Sequence, residues 1–271
     1  MFAVVKLILL YGIAVFFNEK SGMNIYLAWM LGNAISLGAM LVYLISKRVQ
    51  VVYRPQWGFI KNLGPTALAH HTTNLILQAP SLLMPIAVTT VLSAAANVSF
   101  YAAWMIASFV FVLPSHLTTV LHAVGAQTPA VVNAKIRSAM RFSFLVCLPI
   151  GVILFLSASL ILSIFGKKYG EGAAWCLRFL SLGVFPLIIR YHYVALLRVY
   201  DQVQNAIPTL LLCSIFEIVL AIIGLKLGAL TGLGIGWFLA VSLEAILMYF
   251  KLQQLASSVE LGLRNGKLET V

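Results

Sequence analysis

Apolar residues run along this chain in long blocks separated by short polar stretches. Eight blocks stand out: 2–17, 24–46, 63–92, 97–123, 142–165, 173–199, 206–226 and 229–250. At a rise of about 1.5 Å per residue, each predicts a helix able to cross a hydrocarbon core of about 30 Å, the first only barely. Blocks of this length suit helices and exceed what an outer-membrane strand needs. The predicted fold class is therefore an all-α polytopic membrane protein of about eight transmembrane helices. A polar tail, 251–271, follows the last block.

Composition sharpens this reading. The chain is 62% hydrophobic and only 9% charged over 271 residues, against about 25% charged in a soluble domain. So few charges cannot cover a soluble core of this size, which excludes a soluble enzyme, a nucleic-acid-binding module and a disordered chain. Met1 runs straight into the first apolar block with no small-residue cleavage site, so no cleavable signal is expected. Cys147, Cys176 and Cys213 lie far apart in apolar blocks and read as small core residues.

The net charge of +11 would hint at nucleic acid in a soluble protein, but here the basic residues sit mostly in loops and no nucleic-acid partner is expected. One set of alternate loops, with the tail, holds eleven of them: Lys47, Arg48, Arg54, Lys61, Lys135, Arg137, Arg141, Arg198, Lys251, Arg264 and Lys267. The other set holds Lys20, Lys167, Lys168 and Lys226. The positive-inside rule places the first set, and both termini, in the cytoplasm of a multi-pass protein of the cell membrane. The Ser93–Asn97 turn and Phe165–Gly172 are then expected outside.

Polar groups inside spans are expensive and point to function or to interhelical bonding. In the block 63–92, His71, Asn74, Gln78 and Ser81 fall within about 80° on a helical wheel. Pro80 and Pro85 are expected to bend that helix. A polar stripe on a bent helix suits the wall of a wet cavity, and interhelical hydrogen bonding is the plainer alternative. In the next block, Tyr101, Ser108, Ser115, Thr119 and His122 cluster more weakly, as ordinary packing residues also would. Arg190 lies about nine residues from a cytoplasmic span end, too deep for easy snorkelling. Glu217 sits at a matching depth in the following block, and Glu244 nearer its own end. Arg190 and Glu217 could pair; alternatively Arg190 binds an anionic headgroup and Glu217 carries ions. Gly224, Gly228, Gly232 and Gly236 overlap as GxxxG, a pattern for close helix contact. No HExxH, GxSxG, Walker A or paired CxxC is present, so no metal, cofactor or enzymatic activity is expected.

Three stretches carry a resemblance. Ala67–Trp104 holds a polar, proline-bearing helix followed by Tyr101-Ala102. Ile164–Pro186 carries Phe165, Gly166, Tyr169, Leu177, Arg178, Leu180, Gly183 and Pro186 in step with a pattern FG..Y..A...LR.L..G..P. Gly228–Ile246 is a glycine-rich helix entry. Together they resemble the polysaccharide (O-antigen, Wzx-type) flippase family of the multidrug/oligosaccharidyl-lipid/polysaccharide (MOP) exporter superfamily, in its C-terminal portion. The resemblance implies a MATE-like second lobe of six helices over 63–250. Residues 1–62 would be the last two helices of an otherwise missing first lobe, with a basic linker. It implies a transporter, or the C-terminal fragment of one, that flips a polyprenyl-diphosphate-linked oligosaccharide for surface polysaccharide (lipopolysaccharide) biosynthesis, among membrane lipids. Arg190, His71, Asn74, Gln78 and Tyr101 would contact substrate, with Glu217 coupling to an ion. A drug/cation antiporter of the same superfamily is the alternative. A membrane-embedded glycosyl or acyl transferase, using His122 or Asp201, is a third.

Overall fold

In a computed structural model of the chain, residues 2–16, 22–47, 57–125 and 132–264 are described. They form eight helices: α1 (Phe2–Phe16), α2 (Gly22–Ser46), α3 (Trp57–Val91), α4 (Ala94–Gly125), α5 (Val132–Ser163), α6 (Lys167–Leu182), α7 (Val184–Val199) and α8 (Val203–Arg264). No strand occurs among the described residues. The chain divides into two compact units, Met1–Asn62 and Leu63–Val271.

In the first unit α1 packs on α2. Lys6 lays its ammonium 3.0 Å from the centre of the Trp29 ring, a cation–π contact. Its stem crosses Gly32, which has no side chain to hold it off. α1 has 15 described residues, about 22 Å of helix, short of a full crossing.

The second unit departs from the expected blocks in two places. The block 173–199 is not one helix. It begins earlier, at Lys167, and breaks at Gly183, where α6 and α7 meet at 42°. The blocks 206–226 and 229–250 lie in one element, α8, which leaves helical geometry at Gly228 and Ala229. Its apolar run of 53 residues is about twice what one crossing needs. The two arms, 203–227 and 230–264, double back on each other there. The helix also continues past residue 251, where a polar tail was expected, to Arg264. α2, α3, α4, α5 and α8 are long and apolar enough to cross a membrane, and the bent α6–α7 pair passes the same test as one span.

Small residues let these helices approach. Ala103, Ala107, Ala158, Ala173, Cys147 and Cys176 are buried in one cluster with Phe100, Leu177 and Trp237. A second cluster joins Ala69, Ile76, Tyr193, Leu210, Cys213 and Met248. Packing through small residues is what membrane bundles use in place of a hydrophobic driving force. The cysteines are free and buried, as expected. The outward faces are apolar: Leu145, Leu156 and Leu212 are each more than two-thirds exposed. A large apolar exterior over a small-residue interior is the pattern of a lipid-embedded bundle.

α3 runs helically through Pro65, Pro80 and Pro85. A proline cannot donate to the carbonyl four residues before it, so Pro80 leaves the Ile76 carbonyl free. The Ser214 hydroxyl of α8 donates to that carbonyl at 2.9 Å. The residue that would bend the helix thus supplies a tie to its neighbour.

Candidate functional site

The GxxxG glycines build the hairpin that carries two of the acidic groups. A Cβ on Gly224 would strike the Gly232 carbonyl, one on Gly232 the Gly224 carbonyl, and one on Gly236 the Leu220 carbonyl. The arms of α8 therefore meet backbone to backbone, the role expected of Gly224, Gly232 and Gly236, whereas Gly228 of the same pattern meets nothing within 4 Å. This contact sets Glu217 on one arm beside Trp237 and Glu244 on the other.

α7 brings the cation. Gly183 breaks α6 from α7 where the Trp237 ring lies against its bare Cα, and Pro186 follows in the first turn of α7. Two turns on, Arg190 Nη1 donates to Glu217 Oε2 at 2.6 Å and to Glu244 Oε2 at 3.2 Å. Trp237 Nε1 donates to Glu217 Oε1 at 2.5 Å. Arg190, Glu217 and Glu244 are all buried. Pairing offsets part of the desolvation of the three groups; Arg190 Nε and Glu244 Oε1 are buried without a hydrogen-bond partner among the described residues. One guanidinium against two carboxylates, if both are ionised, leaves a formal net charge of −1. Arg190 is thus a committed cation, not a free one. Glu244, expected to be structural or interfacial, joins it as a second partner.

This cluster forms one end of a groove between α3, α4, α7 and α8. A cleft of about 280 Å³ holds Arg190, Glu217 and Trp237 with Gln78 and Ser81 of α3 and Ser108 of α4. A second cleft, about 340 Å³, shares Gln78, Ser115 and Tyr191 with it and ends at Asn74, Thr119 and Arg198. Arg198 Nη2 donates to Asn74 Oδ1 at 2.7 Å. Arg190 and Arg198 are eight residues apart on α7, about 12 Å along its axis.

The residues singled out from sequence are distributed as follows. Arg190, Glu217, Gln78 and Asn74 line the groove. His71 and Tyr101 line neither cleft and are exposed. The reason lies in register: the groove face of α3 runs through Asn74, Leu77, Gln78 and Ser81, and His71 falls at the edge of that arc. Tyr101 lies near the start of α4, about one turn before Trp104, the first α4 residue of the groove. The side chain of His122 lies outside the described residues. Asp201 sits in the turn after α7 with positive φ. Among the described residues no group of three or more His, Cys, Asp or Glu could hold a metal ion.

Sequence reading missed Arg198 and Trp237. Arg198 was expected in a loop, but it closes the last turn of α7. Trp237 gave no sign of a polar task inside an apolar block.

The pattern Phe165–Pro186 is structural here. Gly166 has φ 131°, a conformation open to glycine, and starts α6. Arg178 Nε donates to the Phe155 carbonyl at 3.1 Å and the guanidinium covers Trp175, 4.4 Å from ring centre. The bond to Phe155 ties α6 to α5, while the Trp175 contact, within α6, holds the guanidinium in place.

No known protein family matches the chain by sequence, and no curated protein does. Its fold is similar to that in the crystal structure of MATE in complex with MaL6, with a TM-score of 0.73, 15% identity and 94% of this chain covered. The chain spans 62% of the length of that protein. The fold is therefore that of a MATE-like, all-helical, multi-pass membrane protein.

Proposed function

We propose that the protein is a membrane transporter of the MOP superfamily kind, or a part of one, and that it moves a polyprenyl-diphosphate-linked oligosaccharide across the cell membrane. The observation that carries this reading is a groove lined with polar groups inside a bundle whose exterior is apolar. Sugars ask for amide and hydroxyl partners, which Asn74, Gln78, Ser108 and Ser115 offer, while the lipid tail can stay in the bilayer. Residues 63–250 would be a second lobe of such a transporter and residues 1–62 the last helices of a first. In this reading Glu217 couples transport to a proton or small cation. It accepts from Arg190 and Trp237 together, so neutralising it would loosen α7 from the first arm of α8 and that arm from the second at once.

The drug/cation antiporter is the second reading, favoured by the excess of two carboxylates over one guanidinium in the Arg190–Glu217–Glu244 set. The two are separated in cells whose own lipid-linked oligosaccharide flippase has been deleted. Expression of the whole protein should restore surface polysaccharide, and Glu217→Gln should abolish that rescue at normal protein abundance. Ethidium efflux without restored polysaccharide would overturn the flippase reading in favour of the antiporter.

A further inference from the structure

The groove is electrically divided. At its Arg190 end two carboxylates face one guanidinium. At the other end Arg198 is half-buried, and its one side-chain hydrogen bond among the described residues goes to the neutral amide of Asn74. The ion pairs found among the described residues both belong to Arg190. Arg198 Nε is buried with no hydrogen-bond partner. A guanidinium has five N–H donors in a fixed fork and does not lose its charge. Such a group, half-desolvated against a neutral partner, has donors left for water or, with greater gain, for an anion. The cleft of about 340 Å³ beside it has room for one. Asn74, accepting through Oδ1, keeps its NH₂ as a further donor.

We infer that Arg198 with Asn74 is the oxyanion seat of the groove, and that it takes the phosphate or diphosphate headgroup of a lipid. Arg190 is the weaker candidate: its Nε too lacks a hydrogen-bond partner, but its Nη1 already serves two carboxylates whose charge repels an anion. The inference rests on the lipid-linked reading above for the diphosphate source; an anionic phospholipid presents the same oxygens. Arg198 lies in the last turn of α7, at a span end, where a headgroup is found when its tail is still in the bilayer. Its planar fork meets two phosphate oxygens at once. Gln78 and Ser115, shared by both clefts, would then face the first sugars.

Native mass spectrometry of the purified whole protein in detergent tests this with three probes: geranylgeranyl diphosphate, phosphatidylglycerol and phosphatidylcholine. The wild type should bind the diphosphate and discriminate against phosphatidylcholine. Arg198→Gln should weaken diphosphate binding about tenfold or more, as expected for removing the charged partner of a desolvated pair. Arg198→Lys keeps the charge without the fork and should weaken it about threefold; it carries the test if the glutamine variant does not fold. Lys226→Gln, outside the groove, should change nothing. If the wild type ignores the diphosphate but holds phosphatidylglycerol through Arg198, the seat stands and the flippase reading falls. If the wild type binds the diphosphate and both Arg198 variants bind it equally well, the seat is overturned while the flippase reading survives.

Discussion

Glu217 is the residue on which the interior turns, because one carboxylate is divided between a cation and an indole. Trp237→Phe keeps a ring over Gly183 but removes the N–H that donates to Glu217 Oε1. The loss should be about 1.5–3 kcal/mol, the range for a hydrogen bond to a charged group. Trp237→Ala adds a cavity and should cost more, about 3–5 kcal/mol. Thermal midpoints in detergent should fall in that order, and equal midpoints for Trp237→Phe and wild type would show the indole bond to be idle. Arg190→Ala should destabilise by about 3–5 kcal/mol, since it strands two buried carboxylates together. Adding Glu217→Gln and Glu244→Gln should recover most of the loss; no recovery would mean Arg190 holds something other than this pair. The sequence made Arg190 and Glu217 visible, because an ionised group inside an apolar block is costly wherever it lies. It did not reveal Asn74 with Arg198, which are 124 residues apart, nor Trp237, whose N–H is silent until a carboxylate faces it.

At the scale of elements, hydropathy located the spans because lipid-facing helices must be apolar along their whole length. The breaks were harder. Gly183 sits in backbone that any residue could adopt, φ −61° and ψ −14°, so nothing local announces an end of helix there. The cause is tertiary: the Trp237 ring occupies the space a Cβ would need. Gly183→Ala should therefore destabilise through that collision. Trp237→Phe, which lacks the outer indole ring atoms, should relieve part of it. The double variant should lose less than the sum of the singles in a double-mutant cycle; strict additivity would disprove the wedge. The α8 turn behaves differently. Gly228 has open space around it, whereas Ala229 holds φ 50° and ψ −140°, strained for a residue with a Cβ. Ala229→Gly should raise stability by about 1 kcal/mol. Gly232→Ala should lower it, because the added carbon meets the Gly224 carbonyl, a backbone atom that cannot swing away. Sequence spacing foretold the glycine contact, since close backbone approach admits little else.

For the whole molecule, the side of the membrane on which each turn lies depends on how the bent pair crosses. If α6 and α7 make one crossing, then α3, α4, α5, the pair and the two arms of α8 make six. Consecutive turns alternate sides. The eleven-to-four partition of basic residues then puts the Ser93 turn and the Gly228 turn outside, and the start of α5 inside. If Gly183 instead turned the chain back to the face it came from, the Gly228 turn would move to the inside with Lys226, and Arg198, Lys251, Arg264 and Lys267 would move outside, which removes the basic asymmetry. Single cysteines at Ser93, Ser138 and Gly228 separate these cases. Ser93 and Ser138 are exposed, and a side chain at Gly228 meets nothing within 4 Å, so each is open to a thiol reagent. In sealed cells, with the native cysteines replaced, an impermeant maleimide should label the cysteines at 93 and 228 and spare the one at 138. Labelling at 93 but not at 228 would mean that the α6–α7 pair re-enters rather than crosses. The groove would then lose its placement across the bilayer, and with it the path from a seat at Arg198 to the acidic cluster at Glu217.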